Sequence, residues 1–146
     1  MIRSFYNTDL EQLIDILKLN IPQNFAPSEL SDFKSYIRNH QNTYFVIEKD
    51  KNLVGGFGYE IQDVPSVVAI KWIFTHPSHK GTGLGRKAVE HCLELFRNKK
   101  EIHTVMVDTS QLASKFFEKF GFNVILHEKN HWGEGLDLMR MKLSLS

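Results

Sequence analysis

In "IRSFY", near the start of the chain, apolar and polar residues alternate as on a half-buried strand; "TDLEQLIDILKL" then shifts to the period of a helix. Thr8 and Glu11 have the spacing of a capping box at that helix start. After the break "NIPQNFAP", Leu30, Phe33 and Ile37 repeat the helical spacing behind Ser28, a candidate cap. Three stretches rich in β-branched and aromatic residues come next: "TYFVIEK", "LVGGFGYEIQD" and "SVVAIKWIFTH". With the turn "DKN" and the break at Pro65 between them, they predict a three-strand meander. "LGRKAVEHCLELFRN" returns to helical spacing, with Leu84, Ala88, Val89, Cys92, Leu93 and Phe96 along one face. "EIHTVMV" reads as a strand, "SQLASKFFEKF" as a helix stopped by Gly121, and "FNVILHE" and "LDLMRMKL" as a closing strand pair. The predicted order is βααβββαβαββ.

No segment repeats and no Gly/Ser/Pro linker interrupts this order, so its 146 residues are expected to form one domain, 1–146. Eighteen Lys and Arg residues against seventeen Asp and Glu leave a formal charge of +1, without the basic footprint of a nucleic-acid binder. The most basic stretch, "FRNKKEIH", ends a predicted helix, where its lysines complement the helix dipole. Cys92 is the only cysteine, which excludes an intrachain disulfide and fits a reducing compartment; the cytoplasm is the expected location. No run approaches the roughly 20 apolar residues that span a bilayer, so membrane insertion is not expected.

The chemistry concentrates at "IFTHPSHKGTGLGRKAVEHCL", where a strand and a proline turn lead through Gly81, Gly83 and Gly85 into a helix. Glycines let backbone N–H groups approach a phosphate, and a helix start adds unpaired donors and the positive end of its dipole. Lys80, Arg86 and Lys87 supply mobile charge. The loop fits neither familiar phosphate motif. Position 86 is arginine where a Walker A loop needs lysine, and Gly-x-Gly-x-Gly is not the dinucleotide spelling.

The stretch "HPSHKGTGLGRKAVEHCLELF" resembles motif A of the GNAT superfamily of acyl-CoA-dependent N-acyltransferases, with Lys80, Gly83 and Gly85 at its recurrent positions. "SQLASKFFEKFGF" resembles the second signature of that family through Ala113, Phe117, Gly121 and Phe122. The resemblance implies an α+β fold with a central mixed, mainly antiparallel twisted sheet flanked by helices. It also implies an enzyme that transfers the acetyl group of acetyl-CoA to a primary amine of a small molecule, amino acid or peptide. In such a fold the loop Lys80, Gly81, Thr82, Gly83, Leu84, Gly85 and Arg86 holds the coenzyme A pyrophosphate. Backbone groups at Ile73, Phe74 and Thr75 pair with the pantetheine arm in a splay between the fourth and fifth strands. The amine attacks the thioester carbon directly, and backbone donors stabilise the oxyanion.

Three departures from the family pattern stand out. Lys80 replaces a Gln or Arg and loses planar contacts, Ser110 replaces an asparagine, and Phe117 stands where a tyrosine often protonates the departing thiolate. Those losses keep a second function open, a coenzyme A-binding module without catalysis. Candidate general bases are Glu60 and Asp108, at strand ends that face the acceptor. Phe25 in the first break, with His131 and Trp132 between the last two strands, are candidate acceptor contacts. The expected partners are the amine acceptor and, in a homodimer, a second copy of the chain.

A third function is suggested by spelling alone. His127-Glu128-Lys129-Asn130-His131 is the His-Glu-x-x-His of zinc peptidases, a motif that works only on a helix, where residues four apart share a face. On a strand the two histidines would lie about 13 Å apart, too far to share a metal held by bonds of about 2 Å. The preceding "FNVIL" predicts a strand, and no metal is expected.

Overall fold

A computed structural model describes residues 1–145; Ser146, the last residue of the expected domain, lies outside the described residues. Seven strands form one sheet, β1 (Ile2–Ser4), β2 (Tyr44–Lys49), β3 (Asn52–Ile61), β4 (Val67–Thr75), β5 (Thr104–Thr109), β6 (Asn123–Gly133) and β7 (Leu136–Ser144). Four helices accompany them, α1 (Leu10–Leu19), α2 (Glu29–His40), α3 (Leu84–Arg97) and α4 (Ser114–Glu118). The element order matches the prediction. The strand order is β1-β2-β3-β4-β5-β7-β6, and only the β4–β5 pair is parallel.

Each face of the sheet carries its own core. On one side α3 buries the whole predicted face, Leu84, Ala88, Val89, Cys92, Leu93 and Phe96, against Val68, Ile70, Val105, Val107 and Met141 of the sheet. Burial pushes the Cys92 thiol up to about 12, so at neutral pH it is a packing group and not a nucleophile. On the other side Leu13, Ile16 and Leu17 of α1 and Phe33 and Ile37 of α2 pack on Tyr44, Val46 and Phe74. The turn "DKN" is a two-residue hairpin with Asp50 at φ 52° and Lys51 at φ 68°, the twist-matching geometry of a type I′ turn.

Three local predictions need correction. The Thr8–Glu11 capping box does not form: a 3-10 turn at Asn7–Asp9 precedes α1, and Asp9 accepts the Tyr6 N–H at 2.8 Å. Arg3 on β1 wins this competition by gripping both Asp9 oxygens at 2.9 Å. Ser28 makes no side-chain cap; Glu29 Oε2 instead accepts the Ala26 N–H at 2.8 Å. The helix predicted over "SQLASKFFEKF" is only the five residues of α4. Gln111 is held outside it, its side-chain amide donating to Gly135 O at 2.7 Å and accepting the Asp137 N–H at 2.9 Å. Gly121 ends the segment at φ 101°, as predicted.

No helix among the described residues is long and apolar enough to cross a membrane.

Candidate active site

The two central strands separate at a defined point. β4 and β5 pair from Val67 with Thr104 to Ile70 with Val107, and then stop pairing although both strands continue. The cause lies in β4 itself. Its register with β3 slips between Gly56, opposite Phe74, and Gly58, opposite Lys71, so that β4 bulges at Trp72. Trp72 sits at φ 49°, a conformation that bulky residues rarely adopt. The hydroxyl of Tyr44, itself 1% exposed, donates to the Trp72 carbonyl at 2.7 Å and pins the bulge from beneath. Ile73, Phe74 and Thr75 follow along the diverging strand, and the Thr75 carbonyl accepts Asn20 Nδ2 at 3.0 Å.

Beyond Thr75 the chain makes a 3-10 turn at Pro77–His79, opened by His76 Nδ1 accepting the Ser78 N–H at 3.1 Å. It then crosses the glycine loop into α3. Gly81 at φ 79° and Gly83 at φ 86° take the left-handed backbone, and a Cβ added at either would meet nothing within 4 Å. Their outer faces are therefore open, as an anion cradle requires. Gly83 is the N-cap of α3 without any side-chain cap, which leaves the helix donors to solvent or a ligand. Lys80, Thr82 and Arg86 stand exposed around it; Arg86 Nε also reaches Glu90 at 3.1 Å, a weak surface pair. Leu84 is buried and anchors the loop to the core.

The other predicted residues divide among three places. Lys71 and Asp108 are the first residues beyond the last β4–β5 pair, and both point away from the core face shared by Ile70 and Val107. Asp108 is held bidentately by Arg140 at 2.9 and 3.1 Å, whereas Glu60 lies between His40 Nε2 at 3.1 Å and Lys71 Nζ at 3.7 Å. At the end of β5, Ser110 is 8% exposed and its Oγ accepts the Leu112 N–H at 3.3 Å. Phe117 is 1% exposed and packs edge-on to Phe116 and Phe122. Its ring is part of the core and carries no proton to donate.

The candidate acceptor residues line two walls of the splay. On the β4 side Phe25 stacks on Trp72 with centroids 6.0 Å apart and meets Phe74 edge-on. On the β5 side Trp132 Nε1 donates to Thr109 O at 3.2 Å, and His131 lies perpendicular to the Trp132 ring at 4.8 Å. The walls meet where a Cβ on Gly133 would come within 3.0 Å of Ala26 Cβ. Sequence reading missed the residues that hold these walls, Asn20, Tyr44, Gln111 and Asp137. Their only sequence signal is a polar group beside a break or inside a strand.

β6 runs to Gly133, past the predicted strand end at Glu128, so His131 and Trp132 lie on the strand and not in the connection expected between the last two strands; His127 and His131 thus share a strand and not the helix that the zinc spelling needs. Each imidazole has a separate carboxylate: His127 Nε2 lies 2.7 Å from Asp137, and His131 Nδ1 lies 2.9 Å from Glu128. Asp137 also accepts the Asn130 N–H at 3.0 Å, and these two bonds hold its carboxyl below the usual carboxylate range. The residues of the motif thus fasten an irregular hairpin.

Comparison with known proteins places this geometry. The sequence profile of the acetyltransferase (GNAT) family matches residues 10–122. An N-alpha-acetyltransferase of Sulfurisphaera tokodaii is 22% identical over 158 residues, covering 99% of this chain and 92% of that protein. Among solved structures, the ribosomal-protein-S18-alanine N-acetyltransferase of Escherichia coli superposes with a TM-score of 0.82 at 19% identity, over 100% of this chain and 94% of that one. An aminoglycoside 6'-N-acetyltransferase complexed with coenzyme A gives 0.77 at 15% identity, over 99% and 96%. At these identities the two structures establish the shared fold.

Proposed function

Because this chain belongs to the GNAT acetyltransferase family, we propose that it transfers the acetyl group of acetyl-CoA to a primary amine by direct attack. The observation that carries the reading is the splay of β4 from β5, opening beside a glycine loop that feeds the uncapped start of α3. A bound acetyl-CoA would supply the activated thioester. Lys80 and Arg86, with the backbone from Gly81 to Leu84, would hold its pyrophosphate, and the open faces of Gly81 and Gly83 fit that group. The edge of β4 left free by β5 at Ile73, Phe74 and Thr75 would offer backbone partners to the arm, apart from the Thr75 carbonyl, which Asn20 holds. The acceptor enters between Phe25 and the pair His131 and Trp132.

Of the two candidate bases, Glu60 suits the role better. The guanidinium of Arg140 occupies both oxygens of Asp108, while Glu60 touches a histidine that can pass a proton onward. The Glu60→Gln enzyme is expected to lose about 10²-fold or more in kcat with acetyl-CoA binding unchanged. Equal kcat values would remove Glu60 from the mechanism. The acceptor is an amine of a small molecule, amino acid or peptide, and peptide α-amines come first for testing. The Sulfurisphaera relative and the Escherichia coli neighbour are both named for acetylation of that kind.

Phe117 favours a second reading, a coenzyme A-binding module without catalysis, since an apolar ring stands where the family's usual acid does. One assay separates the two. Thiol release from acetyl-CoA across a panel of free-amine peptides and small amines supports the enzyme. A thermal shift with acetyl-CoA and no release with any amine supports the module.

A further inference from the structure

One buried carboxylate on the acceptor wall has no part in the reaction above. Glu29 opens α2 and is 7% exposed. Its Oε2 accepts the Ala26 N–H, but among the described residues Oε1 accepts no hydrogen bond and no cationic nitrogen lies within ion-pair distance. Burial pushes this carboxyl up, the Ala26 hydrogen bond opposes the rise, and Asp32 one turn along α2 adds to it. The one positive influence from across the crevice is His131, whose imidazole is already bonded to Glu128 at 2.9 Å. Oε1 keeps a narrow contact with solvent through which a ligand cation can reach it, and a carboxylate largely withdrawn from water gains from such a partner.

The position of Glu29 says which ligand. It is tied to Ala26, the residue that meets Gly133 where the two walls touch. The neighbours of those two residues, Phe25 and Trp132, reach the β4 and β5 sides of the splay. Phe25 stacks on Trp72 in one wall and Trp132 stands in the other, all three half-buried.

We propose that Glu29 reads the positive charge of the acceptor: its free oxygen receives the ammonium of a primary amine whose apolar flank lies on Phe25, Trp72 and Trp132. The acceptor class is then an amine with an apolar or aromatic group beside the charged nitrogen. Glu29 acts on binding and specificity; Glu60, beside His40 at the other end of α2 and roughly 16 Å along that helix, takes the proton lost before attack through water. This inference rests on the acetyltransferase reading and deepens it.

The Ala26 hydrogen bond alone would make Glu29 a helix-start contact. Glu29→Gln separates the roles, because a glutamine oxygen can accept the same bond without the charge. The full-length wild type, Glu29→Gln and Glu29→Asp proteins are assayed for thiol release with phenethylamine and the peptide Phe-Gly-Gly, and for thermal shift by acetyl-CoA. Glu29→Gln is expected to raise KM for both amines about tenfold or more, as loss of one charge-assisted hydrogen bond implies. Its kcat stays within about threefold, its acetyl-CoA shift is unchanged, and Glu29→Asp recovers part of the KM. Unchanged KM values in Glu29→Gln overturn the inference and leave the acetyltransferase reading intact. Acetylation of other amines but neither probe overturns the acceptor class, and no acetylation of any amine overturns both readings. Should Glu29→Gln fail to fold, inhibition of the wild type decides. N,N-Dimethylphenethylamine is expected to compete with the acceptor about tenfold more tightly than neutral 2-phenylethanol, and equal competition overturns the inference.

Discussion

Trp72 shows how much of this site hangs on a single residue. Its positive φ and its bulge lie where β4 parts from β5, and its carbonyl is held there by the Tyr44 hydroxyl. Tyr44→Phe leaves that carbonyl without its partner in the core and is expected to cost about 1–3 kcal/mol. Chemical denaturation with an unchanged m-value checks this. At Gly83 the cost has a different origin. A Cβ there meets only open space, so Gly83→Ala is expected to lose about 1–2 kcal/mol through the left-handed backbone alone. Weaker acetyl-CoA binding, read by calorimetry, should accompany it. Gly83 could be picked out in the sequence because glycines spaced before a helical pattern have few other uses. Trp72 could not, since nothing in "AIKWIFT" separates a bulged tryptophan from one in a regular strand.

Helix starts were the elements least legible in the sequence, and Asp9 explains why. Thr8, Glu11 and Ser28 had the right identities for caps, but a cap is decided by which polar group the tertiary structure brings near. Arg3, from another element, fixed the outcome at α1. That tie has a pH signature. The Arg3 guanidinium, opposed by burial and helped by the Tyr6 N–H, holds the Asp9 carboxyl below the usual range. Its contribution is therefore complete above the ordinary carboxylate pKa of about 3.9 and is lost as pH falls through the lower folded value. Asp9→Asn is expected to destabilise the protein by about 1.5–3 kcal/mol at neutral pH and to flatten the acid limb of its stability curve. Thermal melts of both proteins between neutral and acid pH test the sign. Long amphipathic elements read more faithfully. Every predicted core position of α3 is buried, because six apolar residues on one face leave no other packing.

At the scale of the whole molecule, alternation and helical period were enough to give the order of eleven elements, and two spaced signatures gave the family. The crevice was only partly legible. Gln111 gains its role from Gly135 and Asp137, more than twenty residues along the chain, and no local pattern encodes such a pairing. The sheet also has a mechanical consequence. Four strands with α1 and α2 lie on one side of the β4–β5 pair and three on the other, and the strands join across it through only four paired positions. That short seam is bridged by α3, whose buried face packs on Val68 and Ile70 of β4 and on Val105 and Val107 of β5. Stretched between Met1 and Ser144 in an optical trap, the protein is expected to lose β1 first, held by three pairs to β2, and to part along the β4–β5 seam under α3 only at higher force. Acetyl-CoA seated in the splay would act as a rivet and raise the rupture force. The opening that admits the coenzyme is thus held against load by the helix that its own glycine loop begins.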